Sequence, residues 1–136
     1  MNNLRKIMMV VLVMVVTFAL TATGSEAKNT KMTSKAGQYT VAMTLDKGDP
    51  VVGDNIATIE IKDMEGKYVL DAKVVVEYSM PAMPGMPAMN YKAKAKSNAE
   101  QYIATMTLPM AGAWNIAVKI TRDGKTESAK YNVDAK

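Results

Sequence analysis

The sequence contains no cysteine and no histidine among its 136 residues, and this absence excludes several kinds of chemistry. Without cysteine there is no disulfide bond and no thiolate nucleophile, so the fold must be stabilised by packing alone. Without histidine the commonest general base near neutral pH is missing. The carboxylates fall mostly in predicted turns, and no pair of them is placed for acid–base catalysis. We therefore predict that the protein is not an enzyme.

Long hydrophobic runs are also scarce, and the main one lies at the N-terminus. Arg5 and Lys6 precede an uncharged apolar run at residues 7–20, which is followed by small residues at 21–27. This order predicts a signal peptide at residues 1–27, cleaved at its end. The run is shorter than the about 20 residues that span a bilayer, although an uncleaved N-terminal anchor is the alternative. We expect a periplasmic or otherwise extracytoplasmic location, with membrane contact only if the segment stays uncleaved.

The charge is mild, at +4 for 17 basic and 13 acidic residues. Together with export, this makes nucleic acid an unexpected partner. The basic residues are scattered except for Lys92, Lys94 and Lys96, which could be interpreted as a basic patch. We assign them instead to the solvent face of an edge strand, where lysine prevents edge-to-edge aggregation.

Apolar and polar residues alternate in seven short segments after a polar, flexible lead-in predicted at residues 28–36. Turn residues separate the segments, and no amphipathic helix is evident. This pattern predicts an all-β domain at residues 37–136, an immunoglobulin-like antiparallel β-sandwich of about seven strands. Trp114 falls at an inward position and is expected to fill the core. The segments are 39–45, 57–61, 74–78, 91–96, 102–108, 114–120 and 126–133.

The segment SMPAMPGMPAMN at residues 79–90 repeats methionine at every third position and interleaves it with proline. Proline keeps the chain extended and favours polyproline II, which aligns such a repeat along one edge. Residues 83–86 also fit a type II turn, with proline second and glycine third. That turn would bring Met83 near Met86 and let Met80 face Met89, so a pair of thioethers, with a possible third, becomes available. Met43 and Met106, on apolar faces elsewhere, are expected to fill the core.

Thioethers without imidazole or carboxylate suit a soft cation, so Cu(I), and Ag(I) by analogy, is the expected ligand of Met80, Met83, Met86 and Met89. Two other interpretations of the same residues stay open. Exposed methionine and proline form an adaptable apolar surface on which another protein can dock. The methionines could also fold back and cap the open end of the sandwich.

The order of several segments resembles the YtkA-like domain family, relatives of the FixH proteins. These segments are GQYTVAMTL, VVGDN, KDMEGKYVLDAKV, MPAMPGM and AEQYIATMTLPMAGAWNIAVKI. The resemblance implies an exported or membrane-anchored immunoglobulin-like sandwich that accompanies copper handling, in oxidase assembly or heavy-metal efflux. It also places the family's methionine motif on the four residues named above. Some relatives carry a histidine near this motif; because this chain has none, tight binding and Cu(II) binding are not expected.

Two functions follow for the exported domain. In the first, it binds or passes Cu(I) through the Met-rich loop. In the second, it is an interaction module of an envelope complex, such as a metal-efflux assembly, and docks through the same loop without metal. In either case we expect an envelope protein as partner.

Overall fold

A computed structural model describes residues 30–136, which form nine β-strands and no helix. The described part therefore contains no helix long and apolar enough to cross a membrane. The strands are β1 (Lys31–Ala36), β2 (Tyr39–Leu45), β3 (Gly53–Lys62), β4 (Lys73–Met80), β5 (Met89–Lys94), β6 (Lys96–Asn98), β7 (Gln101–Leu108), β8 (Gly112–Arg122) and β9 (Lys125–Ala135).

The strands form two antiparallel sheets that face each other as a sandwich. One sheet has the order β1-β2-β3-β7-β6 and the other the order β5-β4-β8-β9. In the strands other than β5 and β6, inward-pointing residues that follow the period of two build one apolar core. Trp114, Met43 and Met106 are fully buried there, which confirms that they fill the core. The predicted all-β sandwich is confirmed.

Tyrosine hydroxyls fasten buried side chains to the backbone of neighbouring segments. Tyr131 of β9 donates a hydrogen bond of 2.7 Å to the carbonyl oxygen of Val41 in the opposite sheet. Tyr102 of β7 donates one of 2.9 Å to the carbonyl oxygen of Val69, in the connection between β3 and β4. Burial raises the pKa of Tyr131 to about 12. These bonds satisfy groups that would otherwise be costly to bury.

Two strands differ from the predicted set. Residues 31–36, predicted as flexible lead-in, form β1, which pairs with β2 from Lys31↔Thr44 to Ala36↔Tyr39. That prediction was wrong for these residues because an edge strand with one exposed face can be nearly as polar as a loop. The predicted signal peptide at 1–27 and the start of the lead-in lie outside the described residues.

The predicted strand at 91–96 is divided between the two sheets. Its first part is β5, which pairs with β4, and its last residue begins β6, which pairs with β7. Ala95 lies between them and donates a hydrogen bond of 3.0 Å to the carbonyl oxygen of Val74. The chain therefore changes sheets at Ala95, and both β5 and β6 are edge strands.

Candidate metal-binding site

The methionine segment joins β4 to β5 as one continuous hairpin. The two arms keep a single register from Val75↔Lys94 through Met80↔Met89 to the isolated bridge Met83↔Met86. At the tip, the Met83 amide donates to the Met86 carbonyl oxygen at 3.0 Å, and the Met86 amide donates to the Met83 carbonyl oxygen at 2.9 Å. The four methionines are therefore paired across the hairpin as two rungs.

The turn at the tip has the chemistry that the sequence predicts. Pro84 and Gly85 are its two central residues, and Gly85 has φ +81°. A type II turn needs a positive φ at that position and favours proline just before it. No Cβ clash restricts Gly85, since nothing lies within 4 Å of an added Cβ, so the requirement there is conformational.

Prolines separate the two rungs. Pro81 follows the last residue of β4, and Pro87 lies in the opposite arm, before β5 begins. Proline has no amide hydrogen to donate, so the regular ladder stops between Met80↔Met89 and the tip. Three residues of extended chain correspond to about 10 Å, which separates the rungs along the hairpin.

The four methionines differ in exposure. Met83 is 44% and Met86 38% exposed, so the tip rung is open to solvent. Met89 is partly buried against the core, whereas Met80 is 3% exposed and belongs to the core itself. Metal binding, partner docking and capping of the sandwich end were the three interpretations made from sequence, and capping describes Met80 best. The four thioethers are therefore not equivalent in the structure.

Gly112, the first residue of β8, lies directly beside Met80. A Cβ added to Gly112 would lie 3.1 Å from Met80 Cε. Gly112 also has φ +131°, a conformation that L side chains rarely adopt. The methyl group of Met80 therefore occupies space that any other residue at position 112 would partly fill.

Aromatic rings form the base of the hairpin, two residue pairs below Met80 and Met89 along the ladder. Tyr78 and Tyr91 are paired across the strands and stack with ring centroids 5.5 Å apart. Trp114 lies 6.2 Å from each of them and donates its indole hydrogen to the carbonyl oxygen of Met110 at 3.1 Å. Trp114 is fully buried, as a core residue and not as an exposed ligand platform. The base of the hairpin is thus packed and hydrogen-bonded.

Lysines flank this hairpin on its outer edge, as the sequence predicts. Lys92, Lys94 and Lys96 are exposed, and the first two lie on edge strand β5. Glu77 forms an ion pair with Lys119 at 2.9 Å and another with Lys92 at 3.2 Å. The hydrogen bond from Lys119, with that from Lys92, holds the pKa of the Glu77 carboxyl below its ordinary value.

Within residues 30–136 no group of three or more carboxylates could hold a metal ion.

Sequence reasoning missed Tyr91 and Gly112 as neighbours of the hairpin. A signal for Tyr91 was present, because the sequence is nearly mirrored about the Pro84–Gly85 pair: Tyr-Ser-Met-Pro-Ala-Met precedes it and Met-Pro-Ala-Met-Asn-Tyr follows it. A mirrored hairpin pairs its two tyrosines. Gly112 had no such signal, since only the assembled sandwich brings β8 beside Met80.

Comparison with known protein families identifies the family to which the chain belongs. The YtkA-like family model matches residues 33–119, which include the whole methionine segment. The chain belongs to the YtkA-like family. The resemblance inferred from the quoted segments is therefore confirmed. Membership agrees with an extracytoplasmic location for this YtkA-like domain. No curated protein sequence matches the chain.

A solved structure shares the fold of this YtkA-like chain. It is the soluble domain of PmoD from Methylocystis sp. ATCC 49242 (Rockwell), with a TM-score of 0.52 and 13% sequence identity. The alignment covers 76% of this chain and 97% of that domain. At this identity the likeness concerns the fold alone.

Proposed function

We propose that this protein is an extracytoplasmic Cu(I)-binding domain that holds the ion weakly and passes it on, and that Ag(I) binds at the same place. The observation that carries the proposal is the tip rung of the hairpin. Two backbone hydrogen bonds of 3.0 and 2.9 Å hold Met83 opposite Met86, and both side chains are open to solvent. Thioether sulfur is a soft donor that matches these monovalent ions.

The four methionines take unequal parts in this proposal. Met83 and Met86 meet the ion first because they are the most exposed of the four. Met89, which is partly buried, is the next available donor, and Met80 chiefly anchors the hairpin in the core. A site with two or three thioethers and no charged ligand binds weakly, which suits transfer between proteins better than storage. Thioethers do not titrate, so binding should persist in mildly acid conditions.

The rigid base supports exchange of the ion without rearrangement of the domain. The stacked pair of Tyr78 and Tyr91, together with buried Trp114, fixes the hairpin against the sandwich. A preorganised site loses little conformational entropy on binding. The ion can then enter and leave at the tip while the core stays intact.

Docking without metal is the competing function, and the same exposure favours it. Met83 and Met86 present flexible apolar side chains at the end of a rigid hairpin, a surface that suits a partner in an envelope complex such as a metal-efflux assembly. Replacing both by leucine separates the two functions. Leucine keeps the apolar contact and removes the sulfur, so docking should survive the change while metal binding is lost.

The remaining parts of the proposal concern location and activity. We place the protein in the periplasm or an equivalent extracytoplasmic space after removal of its N-terminal segment, and we assign it no catalytic activity. Its envelope partner would supply or accept the ion.

The proposal is tested by titrating the exported protein with Ag(I) and following the methionine methyl groups by NMR. We expect the Met83 and Met86 signals to shift first and Met89 next. Met64 is the internal control, because it is 82% exposed and lies outside the hairpin, in the connection between β3 and β4. Its signal should move only with excess silver.

Matched variants complete the test. Met83→Leu with Met86→Leu should abolish the early shifts, whereas Met64→Leu should leave them unchanged. If Met64 responds to silver as readily as Met83 and Met86, the hairpin is no preferred site and the proposal fails. Partner capture that persists in the double leucine variant would then favour the docking function.

A further inference from the structure

The sandwich is open on the side where β5 and β6 form its edges. A groove of about 620 Å³ lies there between the two sheets. Lys92, Ala93 and Lys94 line it from β5, and Ile103, Thr105 and Thr107 line it from β7. The opposite side is closed by β1 and β9, where Tyr131 bonds across the sheets.

Strand β7 has a neighbour on this side for only part of its length. β6 is three residues long and pairs from Asn98↔Gln101 to Lys96↔Ile103. The residues before Lys96 belong to the other sheet, so within residues 30–136 β7 is paired from 104 to 108 only with β3, on its opposite side. The part of β7 from 104 to 108 is therefore a free sheet edge on this side.

The register shows which backbone groups face this free edge. A two-residue turn closes at Asn98↔Gln101, which makes that pair hydrogen-bonded, and such pairs alternate along the ladder. Ile103, Thr105 and Thr107 then point their amide and carbonyl groups to the same side. The Thr107 amide does so, since it donates to the Tyr78 hydroxyl at 3.2 Å. The Thr105 amide and the carbonyl groups of Thr105 and Thr107 remain for a further strand.

The charge of the groove indicates which kind of strand could pair with the free edge of β7. Lys94 and Lys96, which line the groove, make no ion pair with any residue in 30–136, whereas Lys92 is paired with Glu77. No carboxylate lines the groove. A second copy of this lysine-lined edge would be repelled, and an acidic strand would be attracted.

We infer that the free edge of β7 beside β6 is a docking site for an acidic, extended segment of a partner protein, which adds a strand to the five-stranded sheet. Main-chain hydrogen bonds to Thr105 and Thr107 supply affinity, and Lys94 and Lys96 supply selectivity. This site is independent of metal binding.

The position of the groove relates it to the methionine hairpin. One end of the groove lies at Thr107 and Tyr78, and Tyr78 is two residue pairs below Met80 and Met89 along the hairpin. A strand bound along β7 would therefore end beside the hairpin. A partner held there would be placed to exchange a ligand with the hairpin tip.

The test uses two capped peptides of about six residues, the usual strand length, in which valine alternates with glutamate or with lysine. Each is titrated into the ¹⁵N-labelled exported protein. The glutamate peptide should shift the Thr105 and Thr107 amide signals and slow hydrogen exchange of the Thr105 amide. Added salt should weaken this binding, and the lysine peptide should not bind.

Two variants separate the backbone from the charge contribution. Thr105→Pro removes the amide donor that faces the free edge, a place where proline is tolerated, and should weaken binding by up to about tenfold. Lys94→Gln with Lys96→Gln should weaken binding and remove its salt dependence. Lys130→Gln, a lysine on the outer face of the other sheet, is the matched control and should change little.

Three results would overturn the inference. The first is no shift at Thr105 and Thr107 at millimolar glutamate peptide. The second is equal binding by the lysine peptide or by the Thr105→Pro protein. The third is a concentration-dependent dimer formed through β7, which would make the occupant a second copy of this chain.

Discussion

At the scale of single residues, Gly112 provides the space that the Met80 methyl group occupies. The Cβ of an alanine at position 112 would lie 3.1 Å from Met80 Cε. The alanine would also have to adopt the backbone angle φ +131°. Crowding and backbone strain act together, so Gly112→Ala should lower the free energy of unfolding by about 1–3 kcal/mol. Denaturant titration of the variant and the unmodified protein measures this difference.

Gly124→Ala is the control for that variant. Gly124 has φ +75°, and nothing lies within 4 Å of an added Cβ, so the cost there is conformational only, at about 1 kcal/mol. Equal losses in the two variants would show that Met80 does not depend on the space at Gly112.

Tyr131 should make the fold sensitive to alkaline pH. Burial raises the pKa of its hydroxyl to about 12, above the ordinary value of 10.0. The unfolded chain therefore loses this proton first, and stability falls as pH rises from about 10 towards 12. The expected loss is on the order of 2–3 kcal/mol. Thermal unfolding across this pH range measures it.

The Tyr131→Phe protein checks the assignment. It lacks the ionisable hydroxyl and should show a shallower decline over the same pH range, although its stability at neutral pH is lower by the lost bond to Val41. An unchanged decline would mean that another group controls alkaline unfolding.

Residue type alone predicted some positions and missed others. Met43, Met106 and Trp114 were predictable as core residues because each lies on the apolar side of a strand with period two. Asn55 was missed, although it is fully buried. Its side-chain oxygen accepts a hydrogen bond of 2.9 Å from the backbone amide of Val51, and its side-chain nitrogen donates one of 2.7 Å to the carbonyl oxygen of Val51. It lies in β3 but outside the predicted strand at 57–61, so the sequence analysis gave it no inward position; buried there, its amide needs these hydrogen-bond partners.

At the scale of elements, the turn at the tip of the methionine hairpin depends on Gly85. Alanine at this position must adopt φ +81°, which costs about 1 kcal/mol. We expect Gly85→Ala to loosen the hydrogen bonds between Met83 and Met86 and to lower the free energy of unfolding by no more than this amount, because the exposed tip can open locally. Faster hydrogen exchange of the Met83 and Met86 amides would show this. Unchanged exchange would mean that the turn does not hold the tip rung together.

The hairpin also shows how far an element can be predicted. Proline followed by glycine predicted the turn, and the constant spacing predicted which methionines would be opposite each other. The unequal burial of Met80 and Met83 could not be predicted, because it depends on Gly112 of β8, which is distant in the sequence. β1 and β6 were missed since one is a polar edge strand and the other has only three residues.

At the scale of the whole molecule, the sandwich presents the methionine tip and a free sheet edge on one side of the same domain. β5 joins them, because it begins at Met89 and forms one wall of the groove. The period-two pattern predicted the sandwich, but the groove arises from the change of sheets at Ala95, which the pattern of 91–96 does not reveal. The ion site that we propose at the tip is therefore separate from the docking edge that we infer on β7.

The measurement that tests the central claim most directly is an anaerobic Cu(I) titration of the exported protein against a chromophoric competing chelator. The variant with Met80, Met83, Met86 and Met89 all changed to leucine is titrated in parallel, and Met64→Leu is the control. The account predicts stoichiometric binding at about micromolar affinity, retained by the control and lost in the fourfold variant. Failure of the unmodified protein to compete, or binding that persists in the fourfold variant, would contradict it.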